Sequence, residues 1–219
     1  MQHAGLVELA VYGDEERAAA VAAAFPHAAA AAVAPGWADA WKAFHRPVVV
    51  GGVWIGPPWE QPPSGSAVVV DPGRAFGTGA HPTTRLCAEL LAELEPGSLL
   101  DVGCGSGVLS LVAARLGFGP VVGFDVDPVA VEVAEANAVA NGVAADVRLL
   151  DAVTETLPAA DVAVANIALD VVEVLLSRLD VAEVVTSGYL AGERPAAEGW
   201  AHVRTRQLGG WAADRFKRT

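Results

Sequence analysis

The chain has 219 residues, 53% apolar and 18% charged, with 14 Lys and Arg against 26 Asp and Glu and a formal net charge of -12. Such a length buries a sizeable core, and a pI near 4.7 argues against a protein that tracks nucleic-acid phosphates while suiting a basic partner. With 2 cysteines there is no disulfide framework, which fits a reducing cytoplasm, and neither a membrane-length apolar run nor a signal-peptide pattern is seen.

Residues 6–12 alternate imperfectly between apolar and polar and read as a strand. Asp14 suits a helix N-cap, with Glu15 and Glu16 in the first turn, so 15–25 reads as a helix that stops before Pro26. Residues 27–34 are Ala-rich and compatible with strand or helix. Trp37, Trp41 and Phe44 recur at spacings of four and three, which predicts a short amphipathic helix over 37–45. Val48 to Ile55 predicts one or two short strands, and the Pro-rich run from Pro57 to Pro63 a linker. Residues 1–60 are therefore expected to form a small α+β module with its linker, and 61–219 the main domain.

A strand at 67–71 runs into Asp71-Pro-Gly-Arg-Ala-Phe-Gly-Thr-Gly-Ala-His-Pro-Thr-Thr84, which Gly73, Gly77 and Gly79 make a loop. Pro82 suits the first turn of a helix over 82–94 that ends near Pro96-Gly97. Strands at 98–102, 120–125, 146–150, 161–165 and 183–187 then alternate with helices at 107–116, 128–141 and 168–179 and with a weakly helical 190–198. A hairpin of 200–207 and 211–217 turns at Gly209-Gly210. The pattern predicts an α/β fold: a doubly wound, mostly parallel seven-stranded sheet with helices on both faces and an antiparallel edge.

The chemistry gathers at strand ends. An apolar strand carrying Asp101 leads into Gly103, Gly105 and Gly107 and then into a helix. A dinucleotide fingerprint G-x-G-x-x-G starting at Gly103 would need glycine where this chain has Val108, which disfavours a nicotinamide enzyme. The next strand ends in Asp125, placed to accept bonds from both ribose hydroxyls of a nucleoside. Asp127, followed by Pro128, reads as an N-cap. Asp151, after the third strand, is equally an acceptor for an adenine amino group or an ordinary loop carboxylate. Asn166, after the fourth, suits a place in the same sheet-edge site or a cap of the following helix. Cys87 and Cys104 read as packing residues, and His81 as a residue that orients its loop. His3, His27, His45 and His202 show no metal-ligand spacing, so no metal site is expected.

The D-x-G-x-G-x-G pattern at 101–107 resembles motif I of class I S-adenosylmethionine (SAM) methyltransferases. The runs DPGRAFGTGAHPTT (71–84), LLDVGCGSGVLSLVAARLG (99–117), VVGFDVDPVAVEVAEANAVANGV (121–143), DVAVANIAL (161–169) and TSGYL (186–190) together resemble the PrmA family, the ribosomal protein L11 methyltransferases. DAWKAFHRPVVVGGVWIGPPWE (39–60) is similar to that family's segment between substrate and catalytic domains.

The resemblance implies a Rossmann-like, cytoplasmic, monomeric enzyme that uses SAM to methylate lysine side chains and an N-terminal amine of ribosomal protein L11, without a membrane or direct nucleic-acid contact. It implies cofactor contacts at Thr84, Gly103, Asp125 and Asn166, with Phe76 to Thr78 bordering the cofactor and Asn166 also catalytic; Asp101 and Gly105 of the glycine pattern and Asp151 after the third strand are expected to join them. It also implies that 1–60 is a shortened substrate-recognition module. A methyltransferase of another protein or small amine, and a non-catalytic SAM-binding module, are the alternatives.

Overall fold

A computed structural model describes residues 15–25, 46–71 and 79–219, and the chain divides into two compact units, 1–43 and 44–219. In the first unit only helix α1 (Glu15–Ala24) is described, a run of ten residues free of Gly and Pro. The strand expected at 6–12, the Asp14 cap, the segment 27–34, the helix over 37–45 and the loop residues Phe76 and Thr78 lie outside the described residues.

The second unit opens with strands β1 (Val48–Val50), β2 (Val53–Gly56) and β3 (Ala67–Val69). β1 and β2 form an antiparallel hairpin, and β3 adds to β2 in parallel. Helix α2 (Pro82–Leu91) follows, then β4 (Leu99–Val102), α3 (Val108–Arg115), β5 (Val121–Asp125), α4 (Pro128–Asn141) and β6 (Ala145–Leu149). The chain continues through β7 (Val162–Asn166), α5 (Leu169–Arg178), β8 (Glu183–Leu190), β9 (Trp200–Leu208) and β10 (Trp211–Arg218).

Seven of these strands form one sheet in the order β6-β5-β4-β7-β8-β10-β9, the first five parallel and β10 antiparallel to both of its neighbours. The doubly wound expectation holds. The direction of winding reverses at β4, with β5 on one side and β7 on the other. The carboxyl ends of these three strands therefore border a crevice, where open α/β sheets bind ligands.

Successive residues of the central strands face opposite cores. Leu99, Val162 and Val164 pack with Leu86, Leu90 and Val112 on one face. Leu100, Ala163 and Ala165 pack with Val172, Leu175 and Leu176 on the other. These strands are buried on both sides, so they read as continuous apolar runs rather than alternating ones.

Val50, Val53, Ile55 and Val68 share one apolar cluster with Leu86 and Leu90 of α2. Two expectations are corrected. β8 runs three residues beyond the expected 187: its parallel ladder with β7 stops at Ser187, but the antiparallel ladder with β10 carries it to Leu190, opposite Trp211. The segment 190–198 is not helical; Gly192 and Pro195 interrupt it, and it contributes turns and a single bridge, Ala191 to Glu193.

Caps match their chemistry. Asp127 accepts from the Val129 N–H, Pro128 follows it, and Gly142 ends α4 at φ +62°. His81 caps α2, with Nδ1 accepting from the Thr83 N–H at 3.4 Å and lying 2.8 Å from Thr83 Oγ1. Burial lowers its pKa, which keeps that nitrogen available as an acceptor.

Candidate active site

The turn after β4 is built from backbone that only glycine adopts readily. Gly103, Gly105 and Gly107 have φ of +69°, +55° and +78°. A Cβ on Gly103 would stand 2.5 Å from Ile167 Cγ2, so the turn lies directly against the exit of β7. Internal bonds hold its course: Gly103 N–H and Cys104 N–H both donate to the Phe124 carbonyl, and Gly107 N–H donates to Cys104 O at 2.8 Å.

Asp125 ends β5 with both carboxylate oxygens engaged. Oδ2 accepts from the Gly105 N–H at 2.9 Å and Oδ1 from the Asp127 N–H at 3.0 Å. Each oxygen has a second lone pair, so the carboxylate is oriented without being saturated. Val126, the next residue, is an apolar side chain 66% exposed beside it.

Asp101 lies beneath the turn, only 1% exposed. Its Oδ2 accepts from Ser110 N–H and Ser110 Oγ–H at 2.8 and 2.7 Å. Burial raises its pKa to about 6 against the pull of those two bonds, and the charge of Asp125 pushes the same way. Burial also pushes the Cys104 and Cys87 thiols up, so neither supplies a thiolate.

Asn166 is the last residue of β7, in register with Ser187 of β8. Its Nδ2 donates to Oγ1 of Thr84, a buried α2 residue, at 3.4 Å, and no hydrogen bond to a described residue engages its Oδ1. Thr84, Asp101, Gly103, Gly105 and Asn166 thus line one cleft, together with Cys104 and the apolar side chains of Val108 and Leu109. Asp125 joins it through Gly105.

Asp151 stands outside that group. Its Oδ1 accepts from Val153 N–H and its Oδ2 from Thr154 Oγ–H, which closes a local turn and lowers its pKa. The loop-carboxylate alternative therefore has a concrete structural role. Phe76 lies outside the described residues. A more open cavity of about 460 Å³, between the 156–159 segment and the C-terminal end of α5, contains none of the expected site residues. Arg178 at its wall is committed to the carbonyls of Ala152 and Glu155.

Sequence reading passed over three residues. Val126 was legible, being an apolar residue between two acids just past a strand. Ser110, which holds Asp101, and Asn137, which donates to Ser106 O at 2.9 Å, carried no local signal.

Residues 16–217 match the family ribosomal protein L11 methyltransferase (PrmA). The ribosomal protein L11 methyltransferase of Symbiobacterium thermophilum is 45% identical over 196 residues, which cover 81% of this chain and 64% of the relative. That of Pelobacter propionicus is 42% identical over 205 residues, covering 83% and 66%. Among solved structures, the ribosomal protein L11 methylase from Lactobacillus delbrueckii subsp. bulgaricus is similar at a TM-score of 0.68 and 27% identity, over 76% of this chain and 95% of that one. The chain spans just under two thirds of the length of these curated relatives.

Proposed function

Because the chain belongs to the ribosomal protein L11 methyltransferase (PrmA) family, we propose that it transfers methyl groups from SAM to amines of ribosomal protein L11. One observation carries this reading. A left-handed glycine turn, an acid bonded to that turn and an asparagine with an unengaged amide oxygen converge at one edge of the sheet.

The residues present fit SAM. The glycine turn admits close approach of a flat ligand, Asp125 is oriented toward a ribose diol, and Val126 offers an apolar surface for a purine. The Asp101 carboxylate gives the cleft a negative wall suited to a cationic ligand. Bound there, SAM would supply an electrophilic methyl on a positively charged sulfonium.

The acceptor must be a neutral amine, whereas a lysine ammonium in water has a pKa of about 10.4. The apolar side chains of Val108 and Leu109 disfavour the charged form and so lower that value. Asn166 Oδ1 then accepts an N–H of the amine, which turns its lone pair toward the methyl. Thr84 keeps the amide from rotating, by accepting from Nδ2. Positioning and desolvation, rather than a strong base, perform the activation. Substrate recognition is assigned to the N-terminal module, residues 1–60.

The test is transfer of label from tritiated SAM to purified ribosomal protein L11. Label on its lysines or N-terminus is expected. Label on other lysate proteins but not on L11 would redirect the substrate, and failure to bind SAM at all would remove the enzyme reading.

A further inference from the structure

Asn137 and Asn141 lie one turn apart on α4, and neither is a strong helix former. Both are spent on the edge of β3 that no strand among the described residues covers. Asn141 Oδ1 accepts from Val69 N–H at 2.8 Å, and its Nδ2 donates to Val69 O at 2.6 Å. Asn137 repeats the arrangement two residues on: Oδ1 accepts from Asp71 N–H at 3.2 Å, and Nδ2 reaches Asp71 O at 3.5 Å. Arg115 Nε completes the row by donating to Ala67 O at 2.9 Å. Two residues of strand advance about 6.7 Å and four residues of helix about 6 Å. Two amides at i and i+4 can therefore stand in for a neighbouring strand at alternate residues.

The two asparagines differ in their remaining bonds: Asn141 Nδ2 donates within the helix, to Asn137 O at 2.8 Å. Asn137, 4% exposed, also donates from Nδ2 to the carbonyl of Ser106, between Gly105 and Gly107, at 2.9 Å. That carbonyl shares a rigid peptide plane with the Gly107 N–H, which is itself bonded to Cys104 O. One buried amide thus joins the glycine turn to the end of β3, 31 residues away in one direction and 66 in the other.

We propose that Asn137 is a positioning residue for the cofactor: it sets the peptide between Ser106 and Gly107 and makes that setting dependent on β3, so that occupancy of the turn is felt at Asp71. Asn141 holds β3 alone. The inference rests on the reading of the glycine turn as the SAM site.

The experiment is calorimetric titration of the full chain with S-adenosylhomocysteine, in wild type, Asn137→Ala and Asn141→Ala, with Tm recorded for each. Asn137→Ala is expected to weaken binding at least ten-fold. Asn141→Ala should lower Tm comparably and leave binding within two-fold. Binding within two-fold of wild type in Asn137→Ala, or equal weakening in both variants, overturns the proposal. A second readout needs no variant. In the wild type, S-adenosylhomocysteine should slow hydrogen exchange of the Asp71 amide several-fold, and an unchanged rate overturns the coupling even if Asn137→Ala does not fold. A wild type that fails to bind S-adenosylhomocysteine removes the cofactor reading and this inference with it.

Discussion

The Gly105 amide donates to Oδ2 of Asp125 at 2.9 Å, which ties the turn after β4 to the end of β5. The two ends of the proposed nucleoside site are therefore tied by one bond. The Gly105 N–H fixes one carboxylate oxygen and the Asp127 N–H the other.

Asp125→Ala removes the ribose acceptor and releases the Gly105 and Asp127 amides together. Hydrogen bonds to a charged group are worth about 1.5–3 kcal/mol, so SAM affinity should fall by about 10- to 100-fold. Calorimetry checks this, and an unchanged dissociation constant would count against the ribose assignment.

Asn166→Ala should separate chemistry from binding. On the proposed reading Oδ1 aligns the amine, so kcat is expected to fall roughly 100-fold, about 2.7 kcal/mol of barrier. S-adenosylhomocysteine binding should stay within about three-fold, since the glycine turn and Asp125 are untouched. Thr84→Val, which removes the hydroxyl bonded to Nδ2, should reproduce part of the kcat loss, and Thr84→Ser should restore it. Equal losses in kcat and affinity for Asn166→Ala would refute the aligning role.

Asp101 should leave a signature in stability against pH. Its folded pKa of about 6 exceeds the ordinary 3.8, so the folded state holds this proton more tightly than the unfolded state. The resulting stabilisation is complete below about pH 4 and is lost as pH rises through 6. Asp101→Asn keeps an oxygen for the two Ser110 bonds but cannot titrate. Urea unfolding should show wild type losing about 3 kcal/mol relative to the variant between pH 4 and pH 7. A difference that stays constant with pH would mean the carboxyl is not held in this environment.

Asp214 anchors the antiparallel edge of the sheet. It is fully buried on β10 and accepts from Tyr189 OH at 3.0 Å and from the Thr205 hydroxyl, with His202 Nε2 at 2.9 Å and the Arg194 guanidinium at 3.7 Å. Asp214→Ala removes the acceptor these donors share; Tyr189, the buried one, keeps Thr186 O at 3.1 Å, so the cost is about 1–3 kcal/mol. For a domain of this size that lowers Tm by roughly 5 °C. Scanning calorimetry measures it, and a loss under about 2 °C would show that the network contributes little.

The sequence alone determined the elements and the order of their chemistry. Apolar runs located β4, β5 and β7, because a strand buried on both faces is apolar at most of its positions. Asp127-Pro128 and Gly142 marked both ends of α4, because caps are local events. The alternating glycines and Asp125 were legible for the same reason: φ and strand position depend on near neighbours.

Tertiary structure decided the partners. The last turn of pairing in β8 comes from β10, more than 20 residues on, and no residue of β8 announces it. Asp151 accepts from Val153 and Thr154, bonds that its place after a strand does not announce. Asn137 and Asn141 looked like ordinary polar positions of a helix, yet their amides replace a missing strand 66 and 72 residues away. Periodicity records which way a side chain faces. What it meets there depends on how layers pack, and packing brings together groups that share no neighbourhood along the chain.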